Sequence, residues 1–257
     1  MIFELVSIFF CGAFFGTEVC TSIAQHSAEF YAVVVRLTGV IKLCITVWGR
    51  RSSSNVQAVM WCIGELDIKH LRIDAGFKYG VIDSEEYIAM NPNGTVPMIR
   101  DGENAPLWES GAILRYLASR YAGDGFWPSN PIDRAEVDQW AEWSKLNIAM
   151  MFTGPIFWRV ARTPIDRQVP EIIGKAISEF EAALLIADCQ LQRHAYIAGP
   201  NFTLADIQFA HVLYRYYDLP IDRAPLRAVE QYYRKILKRS PYIQHVAISY
   251  DELVDTM

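Results

Sequence analysis

Three short stretches of the chain set polar side chains beside backbone groups that regular structure leaves open. Ser52-Ser53-Ser54-Asn55 lies between a β-forming run and a helical pattern, which places it at a helix N-terminus. Free N–H groups and the helix dipole favour an anion there, and a serine hydroxyl just ahead of the helix can donate to it. Taken alone, the same serines need only cap and turn. Asn91-Pro92-Asn93-Gly94-Thr95-Val96-Pro97 puts an X-Pro bond at the opening of a strand after a glycine turn. That is a candidate cis peptide, which would leave the Val96 backbone free to pair with an extended ligand. Alone it is also an ordinary loop with an edge-strand proline. Glu109-Ser110 opens a helix. A carboxylate and a hydroxyl beside free N–H groups can hold both charges of an amino-acid group, although a plain N-cap with a first-turn acid has the same sequence.

These residues require a particular scaffold. Residues 43–48 (Leu-Cys-Ile-Thr-Val-Trp) form a short apolar run rich in β-formers, a buried-strand signal. Val56, Val59, Met60 and Ile63 then follow at i, i+3, i+4 and i+7, with Ser54 or Asn55 expected as the N-cap. A second strand is expected over 68–73, and the β-α-β order favours a parallel pair. Residues 74–95 read as loop with one helical turn near 85–89. Residues 96–100 and 105–108 flank Asp101-Gly102-Glu103-Asn104 as a hairpin. The helix after Glu109 buries Ile113, Leu114, Leu117 and Tyr121. Residues 43–122 therefore read as a compact α/β domain and 122–130 as a linker. Residues 131–257 read as an all-helical domain, with Ile173, Ala176, Ile177, Phe180, Leu184, Ala187 and Leu191 in helical spacing. Thr203-Leu204-Ala205-Asp206 has the capping-box form, with Phe202 and Ile207 placed for a hydrophobic staple.

Composition narrows the function classes. At 257 residues, 52% hydrophobic and 21% charged, the whole chain is neither disordered nor low-complexity. Against 29 acidic residues stand 24 basic ones with no basic stripe, which argues against a nucleic-acid partner. Five cysteines without a CxxC pair, and histidines (His70, His194, His211, His245) without ligand spacing, argue against a disulfide framework or a metal site. They fit a reducing, cytoplasmic setting. His211, on the buried side of its helix, is expected to be structural. Residues 1–42 differ from the rest. Their uncharged stretch 5–17 is too short to span a membrane, which takes roughly 20 residues. Glu4, with no Lys or Arg before that stretch, makes a poor secretory signal, and export through a site at Ser22-Ile23-Ala24 is the minority reading. The segment is read as an extension from an over-extended reading frame.

The combination is far more specific than its parts. A β-α-β-α-β-β-α domain with serines after strand one, Val-Pro before strand three and Glu-Ser at the last helix, followed by an all-α domain, resembles the cytosolic glutathione transferases. The likeness is to serine-type bacterial members, theta- or nu-like. It covers about residues 43–250 and includes the Phe202-Thr203-Leu204-Ala205-Asp206 helix start. It implies a thioredoxin-like domain that binds glutathione as co-substrate, and no metal. Val96, with Pro97 as the cis-proline, would pair with the cysteinyl backbone. Glu109 and Ser110 would hold the γ-glutamyl group. The serine turn would activate the thiol, through Ser53 or Ser52, with Asn55 a neighbouring donor. For the glycyl carboxylate the matching stretch offers Asn93 and Thr95, and the nearby cations are Arg50, Arg51 and Lys78, of which Lys78 is the candidate. The absence of cysteine and tyrosine from the turn (Ser54 stands where the zeta pattern has cysteine) counts against isomerase, omega-type reductase and tyrosine-type chemistry.

A hydroxyl is sufficient for that activation. A free thiol has a pKa of about 8.5, and lowering it by two units takes about 2.7 kcal/mol. A hydroxyl donating to a charged acceptor supplies roughly 1.5–3 kcal/mol, and a helix N-terminus about 0.3–1. The acceptor is expected to be an apolar electrophile lying against the first helix of the second domain. Trp140, Trp143, Met150, Met151, Phe152, Phe157 and Trp158 cluster there, with Arg159 and Arg162 nearby. Glutathione-dependent disulfide or peroxide reduction, or a non-catalytic binding relative, are the rival readings. The resemblance implies a homodimer and no membrane partner.

Overall fold

The structure, a computed structural model, describes residues 44–257. The extension expected over 1–42 lies outside the described residues, as does Leu43. Strand β1 (Ile45–Trp48) alternates buried Ile45 and Val47 with half-exposed Thr46 and Trp48. It leads into helix α1 (Ser54–Glu65), whose apolar positions pack into the core. Strand β2 (His70–Ile73) returns parallel to β1, with Ile45 opposite His70. It starts two residues later than expected, because the Ile68 N–H bonds back to the Ile63 carbonyl at the end of α1 (3.0 Å). A 3₁₀ turn (Phe77–Tyr79) and helix α2 (Glu85–Met90) follow; the Ser84 hydroxyl caps α2 by accepting from the Tyr87 N–H at 3.2 Å. Strands β3 (Met98–Asp101) and β4 (Leu107–Trp108) form the hairpin. Both strands begin directly after a proline, which has no N–H for the ladder, so the hairpin is shorter than expected. The sheet order is β2-β1-β3-β4, with β3 antiparallel to β1. Helix α3 (Ser110–Tyr121) completes the α/β portion. This is a thioredoxin-like layer of sheet and helices.

The remainder is helical. Asn130 caps α4 (Pro131–Ser144) by accepting from the Ile132 and Asp133 N–H groups at 2.8 and 3.4 Å. The helix runs on through π-helical Lys145–Ala149, an α-helical piece Met150–Phe152 and π-helical Thr153–Arg162. Then come α5 (Pro170–Leu191), α6 (Leu204–Ala210), α7 (Leu213–Asp218), α8 (Arg227–Ile236), α9 (Ser240–His245) and a 3₁₀ turn (Asp251–Leu253). The capping box of Thr203 and Asp206 is formed. Asp206 is fully buried and accepts from the Thr203 N–H, the Ile197 N–H and the Tyr232 hydroxyl at 2.8, 3.1 and 2.8 Å.

One apolar core joins the two portions. Trp61 of α1 packs edge-on against Tyr242 of α9, ring centroids 4.7 Å apart. Gly64 permits this closeness, since a Cβ there would stand 2.9 Å from Pro241. The Arg239 guanidinium closes the seam on both oxygens of Glu65 at 2.6 Å. His211 is buried beside α6, with Nδ1 2.9 Å from the Gln208 carbonyl. Burial first, then the charge of Lys145, pushes its pKa down to about 3.

This gives a pH signature. The unfolded chain takes up a proton on His211 near pH 6.5 and the folded chain does not. The stability is therefore complete above pH 6.5 and falls as pH drops from there towards 3, by up to about 1.4 kcal/mol per pH unit. His211→Gln is expected to flatten that slope relative to wild type, as read from urea unfolding between pH 7 and 4.5. Equal slopes would mean that His211 is protonated in the fold.

Candidate active site

The chain leaves β1 through Gly49, where a Cβ would stand 2.4 Å from Val56, so only glycine allows the turn to tuck beneath α1. Ser53, not Ser54 or Asn55, is the N-cap of α1. Its N–H donates to the Arg50 carbonyl at 3.2 Å, and its own carbonyl accepts the first helical bond, from Gln57, at 2.8 Å. That early bond moves the cap one residue back from the expected position. The Ser53 hydroxyl makes no capping hydrogen bond and stands on the wall of a cavity of about 420 Å³. Ser52 is buried, its hydroxyl without a hydrogen-bond partner among the described residues. Its carbonyl accepts from Arg215 Nη2 at 2.6 Å.

The Val96–Pro97 peptide is cis, as the sequence predicts. The preceding Thr95 carbonyl is clamped by the Tyr87 hydroxyl and Asn91 Nδ2 at 2.6 and 2.8 Å, which presents Val96 to the cavity. Glu109, the N-cap of α3, has φ 69°, a left-handed conformation costing about 1–3 kcal/mol for a non-glycine residue and concentrated at functional sites. Ser110 beside it is buried. Its hydroxyl donates to Asn55 Oδ1 at 3.3 Å, so the N-termini of α1 and α3 meet.

Lys145 completes that junction and was not anticipated. Its ammonium lies 2.9 Å from Ser110 Oγ and 3.1 Å from Asn55 Oδ1. Burial lowers its pKa, opposed by Glu109 and Glu142. A signal was present: Ala141, Ser144, Ile148 and Phe152 form the buried side of this helix, and Lys145 falls among them.

Of the residues singled out in sequence, Ser52, Ser53, Asn55, Thr95, Val96, Pro97, Glu109 and Ser110 line the one cavity. Asn93 and Lys78 do not. Asn93 Nδ2 folds back onto Asn91 Oδ1 at 3.1 Å, and Lys78 is paired with Glu252 at 2.8 Å. The cations at the cavity are instead Arg50, Arg162 and Arg215. On the helical side only Phe157 and Trp158 of the expected aromatic wall, with Thr153 and Arg162, reach it. Phe152 is turned into the core against Phe180 (5.4 Å), and Trp140 packs edge-on against Trp143 (5.2 Å). Met150 is exposed, and Met151 and Arg159 also lie outside the lining. The π-helical stretches shift which side chains face the cavity, a register a 3.6-residue period cannot foresee.

The comparisons agree with this architecture. Residues 44–119 match the family described as glutathione S-transferase, N-terminal domain, and 149–239 the glutathione S-transferase, C-terminal domain. Glutathione S-transferase GstB of Escherichia coli (strain K12) is 32% identical over 205 residues, covering 79% of this chain and 98% of its own length. A crystal structure of the theta class glutathione S-transferase of Xanthomonas axonopodis pv. citri with glutathione bound superposes with TM-score 0.76 at 36% identity, covering 80% and 99% of the two chains. Glutathione transferase F2 of Populus trichocarpa is similar in structure, with TM-score 0.70 at 26% identity, covering 79% and 97%. The chain belongs to the glutathione S-transferase family. It is a transferase with glutathione as co-substrate.

Lys145→Met removes a charge-assisted donor from the α1–α3 junction, worth roughly 1.5–3 kcal/mol. Glutathione affinity is expected to fall about tenfold or more by calorimetry, with an unchanged far-ultraviolet circular dichroism spectrum. Unchanged affinity would make the junction purely structural.

Proposed function

We propose that the chain conjugates the glutathione thiolate to an electrophile, with the Ser53 hydroxyl stabilising the thiolate. The observation that carries this is Ser53, whose hydroxyl makes no capping hydrogen bond, on the wall of the same cavity as the cis Val96–Pro97 peptide. Hydroxyl and helix terminus act on the same sulfur, and their summed effect matches the approximately 2.7 kcal/mol that two pKa units require. Arg215 supports the turn from the second domain by holding the Ser52 carbonyl. Ser52, with its unpartnered hydroxyl, is the second candidate donor, and Asn55 serves by orienting Ser110.

Val96 pairs with the cysteinyl backbone. Glu109 receives the α-ammonium of the γ-glutamyl group, and Ser110, backed by Lys145, receives its carboxylate. Thr95 and Arg50 receive the glycyl carboxylate in this reading, supported by their both lining the cavity, whereas Asn93 and Lys78 do not line it. The thiolate attacks the electrophilic carbon, a sulfur–carbon bond forms, and the leaving group departs with its electron pair. Phe157, Trp158 and Leu253 supply an apolar wall for the acceptor. Detoxification in the cytoplasm by a homodimer is the setting we propose. Leu146 and Met150, exposed a turn apart along the extension of α4, offer a partner apolar surface. No described helix is long and apolar enough to cross a membrane.

Calorimetry of glutathione binding at pH 6.5 and 8.0, with protons released followed in buffers of different ionisation enthalpy, tests the assignment. Wild type is expected to bind with proton release. Ser53→Ala is expected to keep its affinity within a few fold and lose the release. If Ser52→Ala alone loses it, the hydroxyl is that of Ser52. A wild type that does not bind glutathione defeats the proposal.

A further inference from the structure

Three guanidinium groups surround one cavity, and none of them forms an ion pair among the described residues. Arg215 is 2% exposed; it donates to the Ser52 carbonyl and to Gln57 Oε1 (3.2 Å), its face lies 4.5 Å from the Phe157 ring, and its Nε has no partner. Arg50 Nε is likewise buried without a partner. Its Nη1 lies 3.3 Å from where a Cβ on Gly76 would stand, a point 3.5 Å from a Val96 methyl. Arg162 stands on the helical wall, 5.2 Å from the Trp158 ring and 5.8 Å from that of Phe77, and its Nε donates to Thr256 Oγ1 at 3.1 Å. Among the described residues its terminal nitrogens have no hydrogen-bond partner. Glu109 is the one carboxylate among the lining residues. Glu252, whose charge reaches Arg50, is already taken by Lys78 (2.8 Å) and the Tyr79 hydroxyl (3.0 Å).

Burying a cation without a counter-charge is costly, and of the three guanidinium groups Arg215 is buried, Arg50 is buried at its Nε and Arg162 is half-buried, so a cavity lined by all three favours anionic contents. This rests on the glutathione transferase reading. Bound glutathione brings two negative charges beyond its γ-glutamyl zwitterion. The thiolate lies at the serine turn that Arg215 backs, and the glycyl carboxylate lies on the Val96 side, at Arg50. The third guanidinium, Arg162, flanks the Phe77 ring together with Arg50 (5.8 and 5.6 Å) but also lies 5.2 Å from Trp158 on the helical wall, so of the three it is the one that reaches towards the acceptor side. We infer that the acceptor carries an anionic group, a carboxylate on an apolar aromatic body, which Arg162 receives while Phe157 and Trp158 hold the body. The wholly apolar electrophile expected from sequence thereby becomes an amphipathic one. A halomethyl-benzoate is the chemical class. Its carbon–halogen bond breaks as the sulfur–carbon bond forms, and halide leaves with the electron pair.

The conjugates themselves test this without turnover. S-(4-carboxybenzyl)glutathione and its benzoate methyl ester share every glutathione charge and differ only in the added carboxylate. Calorimetry on wild type is expected to give at least tenfold tighter binding of the acid. Arg162→Gln is expected to bring the acid-to-ester ratio within twofold of one, leaving ester binding within twofold of wild type, and Arg162→Lys to restore part of the preference. A wild-type ratio near one overturns the inference and leaves the transferase reading intact. So does an Arg162→Gln variant that weakens both conjugates equally, because the arginine would then serve the glycyl carboxylate. If neither conjugate nor glutathione binds, the transferase reading fails and takes this inference with it.

Discussion

The ammonium of Lys145, shared between Ser110 Oγ and Asn55 Oδ1, is the contact on which the geometry of the site depends. It joins three helices at one point: the N-termini of α1 and α3 from the α/β layer, and the middle of α4 from the helical portion. Two helix N-termini aimed at one place create a region of positive potential. That arrangement is favourable only when negative charge occupies the cavity. The junction is half-buried, with Ser110 fully so, and its hydrogen bonds count for more than at an open surface. The wall of the cavity formed by the α/β portion is thus braced by a residue of the helical portion.

Arg215 repeats the arrangement on the far side of α1. It reaches from α7 to the Ser52 carbonyl and sets the height of the serine turn against the helical portion. Neither cation is neutralised by a carboxylate within hydrogen-bond reach; burial pushes the Arg215 pKa down to about 10 and lowers that of Lys145. Arg215 remains charged near neutral pH, and a buried cation without a counter-charge raises the free energy of the empty site. The left-handed Glu109 adds to the same reserve. A ligand that brings anions relieves this cost, so binding energy and site destabilisation are two aspects of one design.

Much of this was legible in the sequence because it is local. The apolar run around Ile45–Trp48, the i, i+3, i+4, i+7 pattern of α1, the Thr203–Asp206 capping box and the cis Val96–Pro97 bond are set by residues within a few positions of one another. The shortened hairpin follows from the missing N–H groups of Pro97 and Pro106, and was readable in principle. The serine turn and Glu109-Ser110 became specific only in combination, since each alone is also a routine cap.

Tertiary structure decided what depends on register and on distant partners. Asn93 and Lys78 look available in sequence, yet each is taken, by Asn91 and by Glu252, the second 174 positions away. Lys145 and Arg215 acquire their roles from partners 35 and 163 positions away. Trp158 and Arg162, within the π-helical stretch Thr153–Arg162, line the cavity, whereas Trp140, Trp143 and Phe152, on the regular helix before it, do not. The chain by itself therefore determined the elements, the serine turn and the family, because short-range sterics and hydrophobic periodicity act within one element. Which cations face the ligand was decided only by folding, because an ion's partner depends on how separate elements pack, and that carries no period in the sequence.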